Sequence, residues 1–188
     1  MSAELTIKVR VAAASDEAED IRRLELVSLD GSLLPAFSAG SHIDVYLSEK
    51  IIRQYSLCNA PSERTQYVIA VLRDPQGRGG SAAVHELKVG DEILISAPRN
   101  LFELRPEGNS LLVAGGIGIT PILSMAQSLA AEGRPFSMHY ATRTRKRTAF
   151  LEKIRTSAFA PSVSHYWSQE QDGQKLELDH LLRSPKPD

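Results

Sequence analysis

A chain of 188 residues, 42% hydrophobic and 24% charged, has the composition of a soluble globular protein and the length for one large or two small domains. A formal net charge of -1 argues against a nucleic-acid binder, which would carry a basic stripe over one face. A single cysteine, Cys58, excludes an intrachain disulfide, a zinc site of several thiolates and an iron-sulfur cluster held by four cysteines of this chain.

The first hundred residues alternate with period two. Leu5, Ile7, Val9 and Val11 face one way against Thr6, Lys8 and Arg10, and the same pattern returns at Ile43, Val45 and Leu47, at Tyr67, Ile69 and Val71, and at Ile93 and Ile95. Turn signals at Asp30-Gly31, Ala39-Gly40 and Gly90-Asp91 separate these runs, which predicts an antiparallel barrel or sandwich. One short helix interrupts it, with Ser81 as the expected N-cap and Ala83, Val84 and Leu87 on its apolar face. After Pro106 and Gly108 the period changes. Leu111 to Ala114 reads as a buried strand, a helix is expected from about Pro121 with Gly133 at its C-terminal cap, and strands follow at 136–141 and 163–167 around a helix at 148–155. Strands alternating with helices predict a doubly wound parallel sheet, so the chain divides into an all-β barrel over 1–104 and an α/β domain over 105–188. No run approaches the roughly 20 apolar residues of a membrane span, and the N-terminus lacks the features of a signal peptide; the expected location is the cytoplasm.

Three segments carry candidate chemistry. Arg53-Gln54-Tyr55-Ser56-Leu57-Cys58-Asn59 reads as a strand with Arg53 and Tyr55 on one face and Gln54 and Ser56 on the other. A guanidinium beside a phenol ring suits a planar, anionic ligand, and the same pattern fits an amphipathic edge strand. Gly77-Arg78-Gly79-Gly80-Ser81 lets backbone amides approach an anion at a helix start, and equally reads as a turn ending in an N-cap. Gly115-Gly116-Ile117-Gly118-Ile119-Thr120-Pro121 lies between a strand and a helix, the context of a dinucleotide site, although its spacing differs from the usual Gly-x-Gly-x-x-Gly fingerprint. The end of the following strand would face the adenosine ribose, which makes Thr142 and Arg143 candidates for cofactor contact; Arg145, Lys146 and Arg147 read equally well as a solvated basic loop. The histidines at 42, 85, 139, 165 and 180 show no metal-ligand spacing, and no metal is expected. Cys58 reads as a packing residue.

In order, Arg53-x-Tyr-Ser, Gly77 to Ser81, Ala97-Pro98-Arg99-Asn100-x-Phe102 and Gly115 to Pro121 resemble the ferredoxin reductase-type flavoprotein superfamily. More narrowly, Arg-x-Tyr-Ser-Leu-Cys-Asn with Gly-Arg-Gly-Gly-Ser is similar to the phthalate dioxygenase reductase and vanillate demethylase reductase group. The resemblance runs through nearly the whole chain. It implies FMN rather than FAD, with Arg53 and Ser81 on the phosphate, Tyr55 stacked near the isoalloxazine and Ser56, the implied catalytic residue, beside its reactive nitrogen. Gln54, Ala70, Val71, Gly79, Gly80 and Asn100 complete the implied flavin contacts, and Gly115, Gly116, Gly118 and Thr120 would cradle the nicotinamide dinucleotide. The implied reaction passes electrons from NADH or NADPH, with a leaning to NADH, through flavin to a 2Fe-2S centre in a ferredoxin domain or protein, and on to an aromatic-ring oxygenase or demethylase. Two family features have no counterpart here: a further strand carrying Cys-Gly-Pro, and a ferredoxin domain with four cluster cysteines. The chain ends at Ser184 to Asp188, about where that strand is expected, so the strand at 111–114 should have an open edge. The alternative is a non-catalytic flavin-binding module that needs another chain to complete its nucleotide domain.

Overall fold

The computed structural model describes residues 6–105 and 108–183; Leu5, Pro106 and the 184–188 tail lie outside the described residues. Six strands, β1 (Thr6–Ala18), β2 (Ile21–Ser28), β3 (His42–Ser48), β4 (Ile51–Ser56), β5 (Tyr67–Leu72) and β6 (Glu92–Ser96), form one antiparallel sheet in the order β4-β3-β6-β1-β2-β5. The sheet curls like a barrel without closing. Its outer strands β4 and β5 approach each other with no ladder between them. Beyond the end of β4 the chain bridges the gap: Cys58 N donates to Val68 O at 2.8 Å, and Val68 N donates to Asn59 Oδ1 at 2.9 Å. The Asn59 amide also donates to Glu63 O and Gln66 O, so this buried side chain replaces strand pairing. The slot left between β4 and β5 opens on a cavity lined by residues of both strands.

Strand β2 carries no single-face alternation in sequence because it serves two cores. Ile21 packs with the α/β half, while Leu24 and Leu26 point into the barrel. Strand β5 does the same with stricter parity: Tyr67, Ile69 and Val71 fill the barrel, and Val68 and Ala70 pack against the other half. Helix α1 (Gly80–Glu86) corrects the expected cap. Gly79, at φ +78°, precedes the helix, and Ser81 sits in the first turn with its Oγ accepting from Asp74 N at 3.0 Å.

The second half has parallel strands β7 (Ser110–Gly115), β8 (Phe136–Thr142) and β9 (Val163–Trp167) in the order β7-β8-β9. Helix α2 (Ile119–Ala131) follows β7 after one 3-10 turn, and Gly133 at φ +65° ends it as expected. Helix α3 (Leu151–Arg155) starts three residues later than the spacing predicts. Thr148 is instead tied to Thr142 Oγ1 at 2.7 Å, and Phe150, at φ +59°, donates its N–H to Glu17 of the barrel. A fourth helix, α4 (Leu178–Arg183), lies beyond the expected elements. Among the described residues β7 pairs with β8 alone, and its other edge is open.

The halves share one apolar core: Ile21, Ala39, Cys58, Val68 and Ala70 of the barrel pack with Leu112, Ile122, Leu123, Met125 and Ala126 of the α/β half. Ser124 Oγ donates to Asn59 O at 2.9 Å and Gln127 Nε2 to Cys58 O at 2.8 Å, so α2 satisfies the carbonyls at the barrel gap. Burying a large aliphatic side chain contributes about 1.5–3 kcal/mol. The exposed ion pairs of Arg147 with Glu19 and Asp20 add little beside it. The apolar core therefore fixes how the two glycine turns face each other.

Candidate functional site

A cavity of about 500 Å³ lies in the slot between the halves. Gln54, Tyr55 and Ser56 enter it from the end of β4, Ala70, Val71 and Leu72 from β5, and Asp74 and Ser81 from the loop and first turn around α1. Ile117, Gly118, Thr120 and Pro121 close it from the α/β side. Three consecutive residues of β4 reach one cavity because β4 is an outer strand. The cavity meets its free edge, so side chains of both parities border it, whereas the alternation alone divided them between two faces. Burial raises the Tyr55 phenol, opposed by Arg53, so the hydroxyl stays protonated at neutral pH. Ser56, at the strand end, is half-buried.

Arg53 lies next to this cavity and braces its outer turn. Its guanidinium donates to Ile52 O at 2.9 Å and to Arg78 O at 3.0 Å, and a Cβ on Gly80 would stand 2.5 Å from Arg53 Cγ. Gly80 is thus required by Arg53, and Gly79 by its φ of +78°. Asn100 stands apart. Its amide donates to Ser38 Oγ at 2.7 Å and Ala39 O at 2.9 Å, and its Oδ1 accepts from Phe102 N, holding two loops together outside the cavity.

The glycine turn after β7 has a different logic. A Cβ on Gly115, Gly116 or Gly118 would meet nothing within 4 Å, so packing demands none of these glycines. Only Gly116, at φ +51°, needs glycine for its backbone. Bare backbone facing open space at the start of a 13-residue helix is what a close-lying anionic ligand requires. Gly116 also borders a second cavity of about 500 Å³ at the carboxyl ends of the parallel strands, with Ala141, Thr142, Arg143 and Tyr166 around it. The turn thus joins the two cavities. Thr142 borders the outer one, its hydroxyl bonded to Thr148, while Arg145 stacks on Trp167 at 3.8 Å and Arg147 pairs with Glu19 and Asp20.

The sequence reading missed Leu72 and Asp74 at the inner cavity and Tyr166, Ser168, Gln174, Lys175 and Leu176 at the outer one. Ile117 and Pro121 stood inside a recognised motif; the others carried no local pattern and arrive through chain folding alone. Burial pushes the Cys58 thiol up to about 12, leaving it unreactive. Among the described residues no group of three or more His, Cys, Asp or Glu could hold a metal ion, and no helix is long and apolar enough to cross a membrane.

Residues 112–180 match the family described as the oxidoreductase NAD-binding domain. Over 180 residues the chain is 51% identical to vanillate O-demethylase oxidoreductase of Pseudomonas putida, covering 95% of this chain and 56% of that protein. It is 39% identical over 184 residues to phthalate dioxygenase reductase of Burkholderia cepacia, covering 96% of this chain and 57% of the relative. A solved structure of phthalate dioxygenase reductase, described as a modular structure for electron transfer from pyridine nucleotides to a 2Fe-2S centre, superposes with a TM-score of 0.90 at 38% identity, over 97% of this chain and 58% of that one. By sequence and by fold, the chain is a relative of these oxygenase reductase components. It spans a little over half the length of the curated reductases it matches. The six-stranded open barrel and parallel sheet are the ferredoxin reductase-type fold.

Proposed function

We propose that this chain is the flavin- and nucleotide-binding part of an NAD(P)H-dependent reductase that serves an oxygenase system. One observation carries the reading: residues 54–56, 70–72 and 81 of the barrel and Ile117, Gly118, Thr120 and Pro121 of the α/β half border a single cavity, which the turn at Gly116 joins to a second. A hydride donor and its acceptor must meet closely, and this arrangement allows one ligand from each side to do so. The residues fit a flavin: a cavity of ligand size, a half-buried phenol, the Ser56 and Ser81 hydroxyls, and a glycine turn braced by a guanidinium at the outer end.

In this reading residues 1–104 hold FMN rather than FAD. Arg53, Gly79, Gly80 and Ser81 face the terminal phosphate, while Gln54, Tyr55, Ala70 and Val71 border the ring system. Ser56 donates a hydrogen bond near the reacting nitrogen and is the candidate catalytic residue. Residues 105–188 take the dinucleotide along Gly115, Gly116, Gly118 and Thr120, with Thr142 and Arg143 at its far end. When bound, the flavin supplies chemistry these side chains lack, the acceptance of an electron pair and its release one electron at a time. Ile117 and Pro121 help keep water from the meeting point. Onward electrons go to a 2Fe-2S centre on a ferredoxin domain or protein, since one buried cysteine cannot hold a cluster.

Purified protein should carry or take up FMN with the yellow absorbance of bound flavin. Charge-assisted hydrogen bonds contribute about 1.5–3 kcal/mol, so Arg53→Ala should weaken FMN binding about 10- to 100-fold in a fluorescence titration. Failure to bind FMN or FAD sinks the proposal. A second reading, a binding module that needs another chain to complete its sheet, draws on the open edge of β7 and the groove beside it bordered by Phe102, Val113 and Met125. Stopped-flow mixing with NADH and NADPH separates the two, because bound flavin that stays oxidised favours the module.

A further inference from the structure

We propose that His42 is a positioning residue for Ser56: its imidazole Nε2–H donates to the Ser56 hydroxyl oxygen and so turns the hydroxyl's own proton toward the inner cavity. This rests on the reading of Ser56 given above. Strand register brings the two side chains together. Ile43 and Val45 point into the barrel core, so His42 and Asp44 lie on the outer face of β3. His42 is the cross-strand partner of Ser56 and Asp44 that of Gln54, so this face meets β4 at two residues that border the cavity. Leu57 N donates to Ser41 O at 2.9 Å, which makes Ser41 and Leu57 a hydrogen-bonded pair. The next pair, His42 and Ser56, is therefore a non-hydrogen-bonded one, in which Cα atoms lie about 4.5 Å apart and side chains come closest.

The His42 backbone is fixed from its other side by the segment from Ala97 to Asn100. His42 N donates to Arg99 O and Arg99 N to His42 O, both at 2.9 Å. The Arg99 guanidinium donates to Asp44 Oδ2 at 2.6 Å, and Asp44 N donates to Ser96 Oγ at 2.9 Å. Arg99 and Asp44, the charged neighbours that register sets beside the ring, are thus paired with each other. The Ala97-Pro98-Arg99-Asn100 motif thereby acquires a task, that of bracing the strand on which His42 stands.

What the ring lacks is a partner. His42 Nε2 is buried with no hydrogen bond, and Ser56 Oγ makes none among the described residues. A buried polar nitrogen left unpaired is rare in a native protein, and the Ser56 hydroxyl is the polar group that the register places next to it. The tautomer decides what such a bond does. With the proton on Nε2, the imidazole takes one lone pair of Oγ and leaves the O–H free to donate into the cavity. With the proton on Nδ1, Nε2 would accept the Ser56 proton and turn it away from the cavity. A hydroxyl that donates near the reacting nitrogen therefore requires the Nε2–H form.

The test uses the full chain, first without flavin and then loaded with FMN. In flavin-free protein isotope-labelled at the histidine ring nitrogens, magnetic resonance should show His42 as the Nε2–H tautomer. Ser56→Ala should move the His42 Nε2 resonance and leave the other four histidines in place. In the loaded protein, His42→Leu should lower the limiting rate of flavin reduction by NADH or NADPH about tenfold, while the half-saturating nucleotide concentration changes less than about twofold. His42→Gln, whose amide still donates, should recover most of the rate. Ser56→Ala should lose at least as much as His42→Leu, and combining the two should cost nothing further; a merely structural His42 would make the losses additive. A His42 resonance indifferent to Ser56→Ala, an Nδ1–H tautomer or additive losses overturns the inference and leaves the flavin reading standing. Failure to bind FMN or FAD overturns that reading and, with it, the role assigned to His42, whatever the resonances show.

Discussion

Single residues in this protein separate into those that packing explains and those it does not. Gly80 is explained by Arg53 and Gly79 by its left-handed backbone, whereas Gly115 and Gly118 answer to no neighbour and no strained φ. Gly118 stands at the N-cap of α2 with a φ of -61° that any residue adopts, so neither packing nor backbone strain demands glycine there. Gly118→Ala should leave thermal stability unchanged or slightly raised, while weakening nucleotide binding at least several-fold in a titration with NADH or NADPH; tight binding by this variant would remove the turn from the site. Gly116→Ala should lose both, since its φ of +51° strains a side chain. Cys58 gives the opposite kind of case. Buried, and with its thiol pushed up to about 12, it should resist a thiol reagent at pH 8 in native protein and react stoichiometrically on unfolding. The simple pattern Arg53-x-Tyr-Ser does not disclose that the Arg53 guanidinium already holds the turn carrying Arg78.

At the scale of elements, the aromatic and imidazole groups of β8 and β9 set a pH response. Burial holds His139 and His165 below the usual imidazole range, with Arg145 adding to the effect at His165. Unfolding restores values near 6.5, so as pH falls through that region the unfolded chain takes up more protons than the folded one. Stability is then complete above about pH 6.5 and declines as pH drops toward the folded-state values. Urea midpoints at pH 7.5 and 5.5 should differ in that sense, and His165→Gln should narrow the difference. Strand β4 shows why a site on an outer strand is hard to read. Alternation assigns faces correctly, with Arg53 and Tyr55 half-buried and Ile52 and Gln54 exposed, yet the cavity lies along the edge, where parity carries no information. Helix α3 starts late for a comparable reason: Thr148 and Phe150 are committed to Thr142 and Glu17, which outweighs local helical spacing.

For the whole molecule, the shared core predicts that barrel and α/β half unfold together. Met125 lies in that core beside Gly40, where a Cβ would stand 2.9 Å from its Cε. Met125→Ala should cost about 2–5 kcal/mol, seen in denaturant as one shifted transition by far-UV signal and by Trp167 fluorescence alike; two separated transitions would show independent halves. Arg147→Ala should barely move it, because its ion pairs are exposed. The amino-acid sequence by itself determined most of the elements in order, though not β2 or α4, the change from period two to alternating strands and helices, and the glycine turns, because these depend on side-chain periodicity and backbone freedom over a few residues. Ordered motifs also sufficed for the resemblance to oxygenase reductases. Only the tertiary structure decided that the barrel stays open between β4 and β5, that this gap is the inner cavity, and that Lys175 joins Arg143 at the outer one. Those outcomes depend on contacts between segments distant in sequence, such as α2 on the Cys58 and Asn59 carbonyls and Gly173 on Trp167, and no local pattern encodes them.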